Sequence, residues 1–296
     1  MSSPTRVLAL ACALASCSAR VAAQYQAPAP VESAAPGESA LKKALLEGRA
    51  VVGATVTVPN VDTALTLANA GFDFLWIEME HGPITLESLR AILLATRGAK
   101  AVPITRVPAN ETWLAKRVLD EGSLGVVFPF TSTRELAERA VASCRYPPLG
   151  VRGFGPAFAL SRYGMGAPEY VRFANENVVV VVIIEQKEAV ENIETIASVP
   201  GLGVLFVGVN DLSYSLGVGG RTTDPLVEQA LSKVLEAGRR HGVPVGYPTG
   251  DPAEINRRIA QGFRFFQASS DIGLMAGAAR DLLSKVDRGG PGASRP

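Results

Sequence analysis

The chain has 296 residues, 47% hydrophobic and 19% charged, with a formal net charge of +1. It can bury a large core, and neither its charge balance nor any basic stripe with interleaved aromatics marks it for nucleic acid or acidic partners. With 29 Gly and 20 Pro but little low-complexity sequence between Leu41 and Arg288, it reads as a single α/β domain with many short connections.

The N-terminal segment differs from the rest. Arg6 precedes the apolar run Val7-Leu-Ala-Leu-Ala-Cys-Ala-Leu-Ala-Ser16, too short to span a bilayer but as long as a secretory signal core. This predicts export, to the periplasm or beyond. Cleavage falls either after Val21-Ala-Ala23, defining a signal peptide over 1–23, or at the lipoprotein-like box Leu14-Ala-Ser-Cys17, ending the signal at 16 and placing a lipid on Cys17. The second option alone brings a membrane partner. The Ala- and Pro-rich stretch 24–40 reads as a linker, 41–288 as the folded domain and 289–296 as a disordered tail. Cys12 and Cys17 lie in the signal, which leaves Cys144 alone in the domain and excludes an intramolecular disulfide there. With no histidine placed beside it, Cys144 reads as a helix-face residue rather than a catalytic thiol.

From residue 41 onward the pattern alternates. Strands are predicted at 51–57, 74–80, 102–107, 125–130, 178–185, 204–208, 244–247 and 263–268. Helical spacing follows each, at 62–70, 86–97, 112–121, 133–143, 188–198, 225–241, 252–261 and 272–286. Eight β/α units over about 250 residues favour a single-domain (β/α)8 TIM barrel over an open doubly wound sheet. No Gly-x-Gly-x-x-Gly follows the first strand, which argues against a dinucleotide site.

A barrel places chemistry at the carboxyl ends of its strands. The fifth strand ends in Glu185 after Val178-Val-Val-Val-Val-Ile-Ile, and the sixth delivers Asp211 after Val204-Leu-Phe-Val-Gly-Val-Asn. Strands this apolar are buried on both faces, so a carboxylate at their end is paired, metal-bound or catalytic. Two carboxylates without Cys or His beside them suit Mg²⁺ or Mn²⁺; a salt bridge for Glu185 and a helix N-cap for Asp211 are the plain alternatives. The second strand ends in Glu78-Met-Glu80-His81-Gly82 and the third in Thr105-Arg106-Val-Pro-Ala-Asn110. Arg106 faces either an anionic substrate oxygen or a neighbouring strand-end carboxylate. His81 is either a proton-transfer group or a hydrogen-bonded structural residue. His241, before Gly242 at a helix end, reads as structural.

The stretches Trp76-Ile-Glu-Met-Glu-His-Gly82, Arg106-Val-Pro-Ala-Asn110, Lys116-Arg-Val-Leu-Asp-Glu-Gly122, Arg145-Tyr-Pro-Pro-Leu-Gly-Val-Arg-Gly153, Ile184-Glu185 and Val207-Gly-Val-Asn-Asp-Leu-Ser213 resemble the HpcH/HpaI aldolase family. The resemblance runs from about Leu41 to Asp287, with the segments in the family's order and spacing. It implies a class II pyruvate aldolase, related to the citrate lyase β-subunit, that reversibly splits a 4-hydroxy-2-keto acid into pyruvate and an aldehyde. The resemblance assigns Glu185 and Asp211 as ligands of a divalent ion, Mg²⁺ or Mn²⁺ with Co²⁺ as a third candidate. It assigns Arg106 to the keto oxygen and His81 with Asp120 to an acid/base dyad. From sequence alone Asp120, near a helix end, would have read as a solvated charge.

The resemblance also implies a homohexamer built from dimers, in which the last barrel helix packs across to a neighbouring subunit. Family members commonly carry Asp where Glu78 stands, Pro where Val209 stands and Trp near Thr55, so the acceptor pocket is expected to differ here. The rival activities are a citrate lyase or malyl-CoA type lyase on an acyl thioester, and an exported keto-acid or sugar-acid binding protein. Against the first stands the lack of a basic patch for CoA phosphates. Against the second stands a proton relay, which binding does not need.

Overall fold

The apolar runs become strands because a segment buried on both faces can satisfy its backbone only by pairing on both edges. In the computed structural model, which describes residues 39–287, eight parallel strands are hydrogen-bonded in sequence order into a closed barrel. They are β1 (Val51–Val56), β2 (Phe74–Glu78), β3 (Val102–Arg106), β4 (Gly125–Phe128), β5 (Val179–Ile184), β6 (Val204–Val207), β7 (Val245–Pro248) and β8 (Phe265–Ser270). All eight expected strands form, with ends shifted by no more than two residues. β8 closes on β1 with Val51 opposite Phe265 and a register irregularity between Gly53 and Ala54.

Small residues make room for a layer of rings inside the barrel. A Cβ on Gly53 would lie 2.2 Å from the Phe74 ring, and one on Gly246 would lie 2.7 Å from the Phe206 ring. The space admits Phe74 stacked on Phe265 at 4.3 Å and Trp76 against Phe206 at 5.0 Å. Alternating glycine with aromatic rings fills a tapering interior without voids.

The helices surround the strands. They are α1 (Ala40–Leu46), α2 (Val61–Asn69), α3 (Leu86–Ala95), α4 (Thr112–Asp120), α5 (Arg134–Ser143), α6 (Ala157–Tyr163) and α7 (Ala167–Asn177). After β5 come α8 (Lys187–Glu191), α9 (Ile193–Ala197), α10 (Val209–Ser215), α11 (Pro225–His241), α12 (Pro252–Gln261) and α13 (Asp271–Ser284). The expected helix 188–198 is divided at Asn192, whose backbone leaves the helical region at φ −91°, ψ 7°. Its amide Nδ2 donates to the Ser132 carbonyl at 2.9 Å, tying the break to the β4–α5 connection. The short helices α1, α6 and α10 have seven residues each, too few to show a helical period in sequence. The longer α7 also escaped the reading, although it buries Tyr170 and Phe173.

Ser39 caps α1 by accepting from the Lys42 N–H, and its own N–H donates to Asn177 Oδ1 at 2.6 Å, so Ser39 and Ala40 belong to the fold and not to the linker. The proposed signal, Cys17, the bulk of the linker and the tail lie outside the described residues. Among those described, no helix is long and apolar enough to cross a membrane. Cys144 is free and fully buried at the end of α5, and burial pushes its thiol up to about 12. His241 pairs with Glu194 at 3.1 Å on the surface.

Candidate active site at the carboxyl ends of the strands

Parallel register brings Glu78, the last residue of β2, directly beside Arg106, the last residue of β3. Arg106 Nη1 lies 3.5 Å from Glu78 Oε2, and Arg106 Nη2 ion-pairs with Glu80. Glu78 is buried and fully engaged. Its Oε1 accepts the N–H groups of Glu80 at 2.8 Å and His81 at 3.0 Å, and its Oε2 accepts the Trp76 indole N–H at 3.1 Å. The turn after β2 is thus folded around its own carboxylate. Gly82 completes it, since a Cβ there would come within 2.9 Å of the Glu78 carbonyl oxygen.

The turn presents two titratable groups to the mouth. The His81 side chain is 65% exposed, with Nε2 3.6 Å from Glu80 Oε2. Glu80 is the more buried of the two. Burial is the main force pushing its carboxyl up to about 7; attraction to Arg106 opposes this, and Glu78 and Asp211 add to it.

Glu185 follows β5 and is 1% exposed. Its Oε1 accepts the Phe130 N–H at 2.6 Å, a bond made because Phe130 turns to φ +49° at the end of β4. A non-glycine residue in that region stores about 1–3 kcal/mol and persists where surrounding structure holds it. Across the site, a Cβ on Gly208 would stand 2.8 Å from Glu185 Cβ and 3.0 Å from its Oε2, so glycine clears the space this carboxylate occupies. Asp211 sits in the first turn of α10. Burial raises the Glu185 carboxyl to about 7; the Phe130 N–H and Arg106 oppose the shift, whereas Asp211 and Glu80 increase it.

Among the described residues, neither Glu185 nor Asp211 forms an ion pair with lysine, arginine or histidine. A buried carboxylate that repels its neighbouring carboxylates and has no cationic partner fits a divalent ion. No cluster of three or more His, Cys, Asp or Glu side chains suited to a metal occurs among the described residues. Glu185 and Asp211 are the residues that could hold such an ion, with water and substrate oxygens completing its shell, as hard cations prefer.

Asp120 has a different setting. It ends α4, and its Oδ1 accepts from Arg152 Nη2 at 2.9 Å. Arg152 is itself fully buried and stacks over the Tyr146 ring, 4.4 Å from its centroid. Burial raises the Asp120 carboxyl, and Arg152 opposes this. Within one chain its partner is Arg152 and not His81. Asn110 also leaves the mouth, because its Nδ2 donates to the Leu136 carbonyl at 2.9 Å. The structure gathers His81, Arg106, Glu185 and Asp211 with Glu78 and Glu80, and holds Asp120 in a separate pair. Grooves of about 580 Å³ beside α11 and α12 and about 480 Å³ beside α3 and α4 contain none of these strand-end residues.

Sequence reasoning missed the Phe130 amide, the Trp76 indole and Arg152. A backbone donor has no residue-type signal, and a tryptophan in an apolar strand reads as core. Arg152 stands in the Arg-Tyr-Pro-Pro segment, which was the available hint.

Comparison with known proteins shows the family. The HpcH/HpaI aldolase/citrate lyase family matches residues 55–278. A 2-dehydro-3,6-dideoxy-6-sulfogluconate aldolase of Pseudomonas putida is 38% identical over 234 residues, which cover 79% of this chain and 91% of that protein. A 5-keto-4-deoxy-D-glucarate aldolase of Shigella dysenteriae serotype 1 is 34% identical over 241 residues, 81% of this chain and 94% of that protein. The crystal structure of a HpcH/HpaI aldolase/citrate lyase family protein from Burkholderia cenocepacia superposes with a TM-score of 0.77 at 36% identity, covering 83% of this chain and 98% of that one. With a family model matched over residues 55–278 and relatives at 38% and 34% identity over most of their length, the chain belongs to the HpcH/HpaI aldolase/citrate lyase family.

Proposed function

We propose that the strand-end site reversibly cleaves a 4-hydroxy-2-keto acid into pyruvate and an aldehyde. The enzyme is a carbon–carbon lyase of the class II aldolase type. The observation that carries the reading is the buried Glu185 beside Asp211, with no ion pair among the described residues and within the field of Arg106. Glu185 and Asp211 would hold a divalent ion, Mg²⁺ or Mn²⁺ with Co²⁺ as a third candidate, which when bound supplies Lewis acidity to a developing oxyanion.

The protein's own groups do the rest. Cleavage breaks the C3–C4 bond; its electron pair forms the C2=C3 bond of pyruvate enolate with the charge on the former keto oxygen, the 4-hydroxyl proton leaves as C4 becomes the aldehyde carbonyl, and a proton taken up at C3 gives pyruvate. Arg106 is fixed between two carboxylates and offers guanidinium N–H groups to the keto oxygen as charge develops on it. His81, exposed at the mouth, takes the hydroxyl proton directly or through water and returns it in the aldol direction. An Asp120–His81 dyad needs a second chain, since Arg152 engages Asp120 within this one.

Both named relatives are aldolases of sugar-acid derivatives, which supports a polar sugar-acid-derived 2-keto acid as the substrate class. A homo-oligomer, a hexamer by family resemblance, is supported by α13, where Ile272, Leu274, Met275, Leu282 and Leu283 are exposed. Export directed by 1–23, or lipidation at Cys17, is our reading of the N-terminal sequence; the mature N-terminus of the cell-produced protein tests it.

The activity is tested by pyruvate release from a panel of 4-hydroxy-2-keto acids, with Mg²⁺, Mn²⁺ or Co²⁺ and after chelation. Metal-dependent release is the expected outcome. Undiminished release in excess chelator would exclude the metal role, and no release from any member would exclude the reaction.

A further inference from the structure

Glu80 is the carboxylate at the mouth that faces both Arg106 and His81. It stands at the open end of the barrel, yet its side chain is only 9% exposed. Its direction is built in, because its backbone N–H and that of His81 are both held by Glu78 Oε1. From that fixed turn, Oε2 ion-pairs with Arg106 Nη2 and lies 3.6 Å from His81 Nε2. One oxygen therefore faces both the guanidinium and the imidazole. The other charged groups around it are Glu78 on β2, Asp211 on α10 and, beyond it, Glu185 after β5. Asp120, the other carboxylate considered for His81, is taken by Arg152 at 2.9 Å.

Both groups that Glu80 faces need orientation. An arginine stem has many rotamers, and bonding its fork on one side leaves the remaining N–H vectors in a narrow set of directions. A histidine 65% exposed on a turn has little packing to fix its ring. A carboxylate near Nε2 favours the tautomer protonated there and leaves the Nδ1 lone pair to take a proton. The separation exceeds a hydrogen bond by a few tenths of an ångström, a gap that substrate-free sites close on binding.

We infer that Glu80 is a positioning residue, its carboxylate fixing the Arg106 guanidinium and the His81 imidazole relative to one another within a single chain. This rests on the aldolase reading of the same site. It gives His81 its orienting carboxylate without a second subunit, and it couples enolate stabilisation to proton transfer through one side chain.

The test uses the full-length, metal-loaded enzyme with Glu80→Gln, Glu80→Asp and the double variant Glu80→Gln/His81→Ala. Three quantities are measured: cleavage of a 4-hydroxy-2-keto acid, exchange of the pyruvate methyl protons with solvent, and Mn²⁺ affinity. E80Q is expected to keep Mn²⁺ affinity while kcat falls on the order of 10²-fold in both reactions, with a smaller change in KM. E80D should recover part of the loss. In the His81→Ala background E80Q should cost less in cleavage than it does alone, because only its hold on Arg106 remains, and should retain its full loss in proton exchange, which passes through Arg106. Wild-type rates in E80Q overturn the inference, as do cleavage losses that simply multiply in the double variant, or a loss explained wholly by weaker Mn²⁺ binding. If the unsubstituted enzyme neither cleaves nor exchanges, the aldolase reading itself fails; if it does both while E80Q is indifferent, only the role of Glu80 fails.

Discussion

Glu185 keeps a carboxylate where burial resists its charge. Its folded-state value of about 7 lies above the ordinary 4.5, so the protonated form is favoured and the associated stability is present below about 4.5 and lost as pH rises through 7. A displacement of that size is worth about 3 kcal/mol at most, shared with Glu80, which is also raised to about 7. The metal-free enzyme should therefore lose thermal stability between pH 4.5 and 7, and a divalent ion should restore it. Because the ion must displace a proton, its affinity should fall by up to tenfold per pH unit below about 7. Titration calorimetry in buffers of different ionisation enthalpy measures the protons released; zero release at pH 6 would contradict the assignment. Arg106 and His81 separate in a second experiment. Arg106→Ala should lower cleavage and pyruvate proton exchange alike, by about 10²–10³-fold, because both pass through the enolate. His81→Ala should impair cleavage more than exchange, and equal losses would merge the two roles.

At the scale of elements, the junction of β6 with α10 decides whether Asp211 can serve beside Glu185. Gly208 is the N-cap of α10, and its missing Cβ leaves the space in which Glu185 stands. Gly208→Ala should displace that carboxylate, weaken Mn²⁺ binding by tenfold or more, on the order of outer-shell substitutions, and leave the circular dichroism of the barrel intact. Unchanged Mn²⁺ affinity would show that the carboxylate has room to move. The same junction shows a limit of sequence reading. Asp211 was legible as a strand-end carboxylate, but α10 was not, because seven residues carry no clear period.

For the whole molecule the open question is assembly. α13 buries only Asp271 of its fourteen residues, so its apolar side chains cover little of their own barrel. Light scattering of the mature chain should give an oligomer, and a chain ending at Ser270 should give smaller species. A monomer independent of concentration would leave α13 without a partner and remove that reading. Closure of the barrel, by contrast, is internal: the rings of Phe74, Phe206 and Phe265 meet where Gly53 and Gly246 withdraw. Substituting valine for Gly53 should cost about 1–3 kcal/mol or more by overpacking, read as a lowered denaturation midpoint at unchanged slope.

Sequence by itself determined the eight strands, their parallel order and the end of the barrel where polar residues gather. Those follow from local apolar runs and from the rule that a doubly buried strand must pair on both edges. Glu185, Asp211, Arg106 and His81 were legible for the same reason, since polar residues ending apolar runs are conspicuous. Tertiary structure alone decided the partners. Register set Glu78 beside Arg106, the β2 turn aimed Glu80 between Arg106 and His81, and the left-handed Phe130 brought its amide to Glu185. It also gave Asp120 to Arg152, 32 residues away along the chain. Such pairings join residues far apart in sequence or depend on a single backbone angle, and neither leaves a mark in composition or period.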